Sequence, residues 1–316
     1  METAGRASRA RPAPLSRRML CIAASMTCAG VVAGAGRLDV RRIAPAASVS
    51  AALIVGRAAC ADRTWLLTEG NRLIEIDGAN ASVGTREIGG LGRGDRVWGL
   101  ACLSDGGLWT MASPRSVARI DRTGRVQERV PVQLPRIELF AAGDRLLFQQ
   151  LPTAPGVEVL ATSPPRQSST IRPWPGLIGR RATTREDQLT RNLVKCGLGL
   201  GDEVPCWFAN EAAISVSSGR SARTIAVGWL RAGAIDRQTP IWDAALVPSG
   251  GFWVLANETA SRDRRAGTRL FLASERNGGR LSVDLKPAAR LIVAASGTRC
   301  VLLLTDGSLI EVGVAS

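Results

Sequence analysis

The chain has 316 residues, 45% of them hydrophobic, with 34 Gly and 16 Pro, enough to bury one large core and to turn between many short strands. Its formal charge of +14 is carried almost wholly by Arg, with only Lys195 and Lys286 besides, and no tight basic run occurs, so nucleic acid is not an expected partner. There is no His and no Tyr, which excludes Ser-His-Asp and Cys-His machinery, His bases and His metal ligands.

Five Arg and one acid in residues 1–18 precede an apolar stretch, Met19 to Ala35, that closes on Ala33-Gly34-Ala35. A charged start, an apolar run and an A-x-A end are the layout of a secretory signal. The expectation is a signal peptide over 1–35, a single domain over 36–316, and a periplasmic or secreted protein. Ser16-Arg17-Arg18-Met19-Leu20 partly matches a twin-arginine start, and an uncleaved segment, which alone would make the protein membrane-attached, is the other alternative.

Downstream, six short alternating segments recur: 72–77, 116–121, 156–162, 212–218, 268–274 and 308–313, their starts 44, 40, 56, 56 and 40 residues apart. Each follows a second apolar strand, often opened by Trp: TWLLTE, LWTMA, RLLFQQ, CWFAN, FWVLAN and CVLLLTD. Turns such as SDGG (104–107), AGD (142–144), PSGG (248–251) and SGT (296–298) separate these from a first strand. Each unit reads as four antiparallel strands that cannot bury both faces alone, and packing such units face to face in a ring gives a β-propeller. The last unit holds three strands, and RLDVRRIAP (37–45) stands orphaned before the first. The predicted fold is therefore all-β, a six-bladed β-propeller whose last blade is closed by an N-terminal strand, leaving no loose edge.

TWLLTEGNRLIEIDG (64–78) and DGGLWTMASPRSVARIDRTG (105–124) resemble repeats of the NHL and streptogramin-lyase-like group of six-bladed propellers; CWFANEAAISVSSG (206–219) and GGFWVLANET (250–259) do so in part. The likeness lies in scaffold residues. The lyases of that group use a His as catalytic acid/base, and a chain without His does not inherit that activity.

Candidate residues fall in loops. The long connection 173–192 carries Trp174, Arg180, Arg181, Arg185 and Arg191, and 259–268 carries Arg262, Arg264 and Arg265; on one face they would form a basic rim for carboxylates, sulfates or phosphates. The loops between second and third strands offer Glu69, Asn210, Asn257 and Asp306, oxygen ligands suited to Ca²⁺ or Mg²⁺ and similar in type to those of gluconolactonase-like propellers. Ordinary turn formation explains the same residues. Five cysteines follow residue 35: Cys196 and Cys206 flank a hairpin loop and are expected to pair, while Cys60, Cys102 and Cys300 read as small apolar filler. The favoured reading is a monomeric, non-catalytic binding scaffold, without cofactor, for a protein or an anionic polysaccharide. The alternative is a metal-dependent hydrolase or lactonase.

Overall fold

A computed structural model of the protein describes residues 37–44, 49, 54–60, 63–77, 82–113, 115–131, 136–150, 157–161, 169–172, 194–208, 213–218, 221–231, 241–248, 250–257, 268–274 and 280–315. Apart from one 3-10 turn at Gly228–Arg231, the elements assigned there are strands, in six four-stranded antiparallel sheets arranged as a β-propeller.

Five sheets are contiguous in the chain, each beginning at the central channel. After β1 (Leu38–Ala44), the first holds β2 (Ile54–Cys60), β3 (Arg63–Thr68), β4 (Arg72–Asp77) and β5 (Val83–Glu87). The second holds β6 (Trp98–Cys102), β7 (Leu108–Ser113), β8 (Ser116–Ile120) and β9 (Val126–Pro131). The third runs β10 (Arg136–Ala142), β11 (Arg145–Gln150), β12 (Val157–Ala161) and β13 (Ser169–Arg172). The fourth runs β14 (Val194–Cys196), β15 (Val204–Phe208), β16 (Ala213–Ser217) and β17 (Ala222–Ala226), and the fifth β18 (Ile241–Val247), β19 (Gly251–Asn257), β20 (Thr268–Ser274) and β21 (Arg280–Leu285).

The closing sheet is composite. β22 (Ala289–Ala295), β23 (Arg299–Leu304) and β24 (Leu309–Val314) are completed by β1. β1 pairs antiparallel with β24 from Leu38 opposite Val314 to Ala44 opposite Leu309, and the Ala315 amide donates to the Arg37 carbonyl at 2.8 Å. The expected N-terminal closing strand is thus in place.

Burial follows position in the sheet. β3 and β7 are buried on both faces because another sheet covers each, so they read as nearly continuous apolar runs. The outer β5, β9 and β21 alternate or lie exposed and carry the charges. The second-strand tryptophans repeat one role: Trp65, Trp109, Trp207 and Trp253 are each buried to within 2% exposure, and each packs into the core shared with the next sheet. Trp65, Trp109 and Trp253 stand opposite Ala58, Ala101 and Ala245 on the neighbouring inner strand, whose small side chains leave room for an indole.

The inner strands close tightly on one another. A methyl group on Gly56 would lie 2.7 Å from the Leu100 amide nitrogen, and one on Gly197 would collide with the Ala244 carbonyl oxygen. These positions require glycine because backbone meets backbone there. Beside Gly197, the Leu198 amide donates to the Ala244 carbonyl at 2.9 Å and the Leu246 amide to the Leu198 carbonyl at 3.0 Å, tying the fourth sheet to the fifth.

Two disulfides brace the ring. Cys196–Cys206 joins residues directly opposite in β14 and β15, with Cα atoms 4.1 Å apart. Cys60–Cys102 joins the ends of two inner strands in successive sheets, with Cα atoms 5.7 Å apart. The reading of Cys60 and Cys102 as unpaired filler is corrected: 42 residues separate them, but the ring brings the ends of β2 and β6 side by side. Cys300 is free and buried; burial, and secondarily the Asp243 carboxylate, push its thiol pKa well up.

Candidate binding sites at the two ends of the channel

Five of the inner strands share a feature that their sequences hide. β2, β6, β10, β18 and β22 each slip register by one residue at the outset, as a β-bulge does. The passed-over residues are Val55, Gly99, Ile137, Trp242 and Arg290. A bulge bends the strand and re-aims a side chain. Trp242 and Arg290 consequently stand at the end of the channel where the inner strands begin.

That narrow end holds a recess of about 300 Å³, lined by Lys195, Trp207, Trp242, Asp243 and Arg290 above Arg57. Trp242 is 45% exposed although it is a large apolar side chain. Its Nε1 donates to the Arg290 carbonyl, which fixes the ring. The ammonium of Lys195 lies 5.0 Å from the ring centroid. An aromatic plate held rigid and flanked by cations suits a ligand with an apolar face and an anionic group.

Beneath it lies a buried ion pair. Arg57 Nη2 donates to Asp243 Oδ1 at 2.9 Å, and Arg57 Nη1 donates both to Asp243 Oδ2 and to the Ile292 carbonyl, the latter at 2.6 Å. Asp243 also accepts from the Ile292 amide at 2.7 Å and the Ala244 amide at 2.8 Å. The two side chains are 12% and 6% exposed. Burying such a pair stabilises nothing unless the remaining lone pairs and N–H groups are satisfied, and here the first, fifth and closing sheets supply the partners.

The wide end, where the inner strands finish, holds a larger cavity of about 950 Å³. Gly56, Arg57, Leu139 and Cys196 line both spaces and mark the waist between them. The loops between second and third strands, which carry Glu69 and Asp306, lie at the narrow end; the larger opening lies at the opposite one, among the turns between first and second strands.

The sequence candidates distribute unevenly. Trp174, Arg180, Arg181, Arg185, Arg191, Arg262, Arg264, Arg265 and Asn210 lie outside the described residues. Glu69 is exposed in the β3–β4 turn, and Asn257 ends β19 opposite Thr268. Asp306, exposed in the β23–β24 turn, accepts from the Ser308 amide at 2.9 Å and the Ser308 hydroxyl at 2.6 Å, and Arg42 lies 3.7 Å away. The Ser308 bonds hold its carboxyl below the usual range, which marks Asp306 as a turn-maker. Among the described residues no group of three His, Cys, Asp or Glu is placed to hold a metal ion. Asp95 accepts from Arg129 and from the Gly92 amide at 2.6 Å.

Sequence reading missed Trp242, Arg57 and Asp243 as site residues. The available signal was a charge inside each of two apolar inner strands, IVGRAAC and IWDAALV.

No protein-family model and no curated protein matches the chain. Solved structures do. Virginiamycin B lyase from Staphylococcus aureus aligns with 89% of this chain and 100% of its own at 8% identity, TM-score 0.53. The PQQ-bound aldose sugar dehydrogenase of Streptomyces coelicolor aligns with 88% and 99% at 12% identity, TM-score 0.52. A member of the DUF4221 family from Bacteroides vulgatus aligns with 88% and 98% at 8% identity, TM-score 0.55. At these identities the likeness establishes the architecture: the chain is a β-propeller.

Proposed function

We propose that the protein is an exported, non-catalytic β-propeller that binds an anionic polysaccharide at the narrow end of its channel. The observation that carries this reading is Trp242: an exposed indole, fixed by its own hydrogen bond, with Lys195 against its ring and Arg290 at its side. A sugar ring offers an apolar face to an indole, and carboxylate or sulfate groups pair with ammonium and guanidinium. The net charge of +14 favours the approach of a polyanion. Export is supported by the charged, apolar, small-residue layout of 1–35 and by the two disulfides, which persist in oxidising compartments.

Calorimetric titration with an oligouronate tests the binding. Trp242→Ala weakens affinity by about tenfold or more, the loss of roughly 1.4 kcal/mol of contact, and raising salt from 50 to 300 mM weakens binding further by screening Lys195 and Arg290. Undiminished binding by Trp242→Ala would overturn the assignment. Export is tested by N-terminal sequencing of the protein recovered from the cell envelope or medium, which begins at Gly36 under this reading.

A further inference from the structure

We propose that the wide end of the channel is a second, separate site that binds a small dipolar molecule carrying both a carboxylate and an ammonium group, of the class of a short unblocked peptide. The cavity there is large enough for a drug-sized ligand and is partly enclosed by apolar wall, including Leu100, Leu139 and Leu198. Its rim is divided by charge. The first and second sheets contribute the guanidinium groups of Arg63 and Arg122, while the third and fourth contribute the carboxylates of Asp144 and Asp202.

These groups differ in how far they are already engaged. Arg63 pairs with the buried Glu75, and Asp144 accepts from the Ser104 hydroxyl at 3.4 Å. Arg122 and Asp202 are exposed and have no ion pair among the described residues. A purely anionic or purely cationic ligand would satisfy one half of the rim and desolvate the other without compensation. A molecule with both charges satisfies both halves, and an apolar middle would occupy the leucine wall.

Two independent features support a built site. Both disulfides brace this end: Cys60–Cys102 locks the first two sheets together at the cavity wall, and Cys196–Cys206 pins the hairpin whose tip carries Leu200 and Asp202. Leu200 is 40% exposed on that tip, so a large apolar side chain is held at the cavity mouth in water. A rim held rigid loses little freedom when it captures a ligand.

Calorimetry on the full chain at pH 7, with the tripeptide Ala-Leu-Ala and its N-acetylated and C-amidated forms, tests this site. The free peptide is expected to bind about tenfold more tightly than either capped form, as loss of one charge-assisted contact requires. Asp202→Asn is expected to weaken the free peptide about tenfold and leave the acetylated peptide unchanged, while Arg122→Gln weakens the free peptide and leaves the amidated one unchanged. Both residues are exposed, so an unchanged melting temperature verifies folding. Equal binding of all three peptides, no heat from the free peptide at about 10 mM, or indifference to both substitutions would overturn the proposal. Because Trp242 lies at the other end, Trp242→Ala serves as the control that leaves peptide binding intact.

Discussion

Arg57 and Asp243 illustrate how a single residue pair spans the ring. They are 186 positions apart, and their ion pair ties the first sheet to the fifth across the closing sheet. Arg57→Ala leaves the Asp243 carboxylate buried and unpaired and is expected to cost about 3–5 kcal/mol, whereas Arg57→Met with Asp243→Leu costs much less than the sum of the single changes. Urea melts of the four proteins read that cycle. The tryptophans offer a finer contrast. Trp253 Nε1 donates to the Ser296 carbonyl at 2.8 Å, while Trp109 Nε1 is buried with no hydrogen-bond partner among the described residues. Replacement by Phe at 253 strands an acceptor, but at 109 it removes an unsatisfied donor. Trp253→Phe is expected to destabilise by about 1 kcal/mol more than Trp109→Phe. Acid stability follows from carboxylates such as Asp121, lowered from 3.8 to about 2, chiefly by the Thr123 hydroxyl and then by the Arg125 amide. A depressed folded pKa means that stability is complete above the unfolded value near 3.8 and is lost as pH falls through about 2. Melting temperature should therefore be flat above pH 5 and fall between pH 4 and pH 2, and Asp121→Asn should make that fall shallower.

At the scale of the element, the second and third strands were legible because burial on both faces writes them as apolar runs, and Trp marks the packing position in four of them. The inner strands were not. They meet one another through backbone at Gly56 and Gly197, and five of them, though not VKC, slip register at their second residue, so IVGRAAC, VKC and IWDAALV share no common pattern. The site residues Trp242 and Arg290 sit on those bulges, which is why the loops drew the search and the strand ends did not. Cys196–Cys206 was readable because a hairpin places the two opposite one another; Cys60–Cys102 depends on neighbouring sheets meeting and leaves no local trace. The chain-entropy model gives about 4 kcal/mol for the 42-residue closure and about 3 kcal/mol for the 10-residue one. Replacing Cys60 and Cys102 by Ser should therefore lower the melting temperature more than replacing Cys196 and Cys206. Gly197→Ala should lower it as well, since the added methyl must displace the β18 backbone.

At the scale of the whole molecule, ring closure rests on β1, which is held to β24 by backbone pairing and by Arg41 against Glu311 at 3.5 Å. Deleting residues 37–44 exposes the edge of β24 and part of the core around Ala44, and should broaden thermal unfolding as well as lower its midpoint. Closure also brings two of the three large apolar side chains exposed among the described residues, Trp242 and Leu200, to opposite mouths of one channel, with the Arg57–Asp243 pair near its waist. The most direct measurement of the proposed function is hydroxyl-radical footprinting by mass spectrometry, with and without saturating oligouronate. Protection of Trp242, with exposed Val40 on β1 unchanged, is the predicted result. Trp242 oxidised equally in both states, while calorimetry still registers bound oligouronate, would contradict a binding site at the narrow mouth.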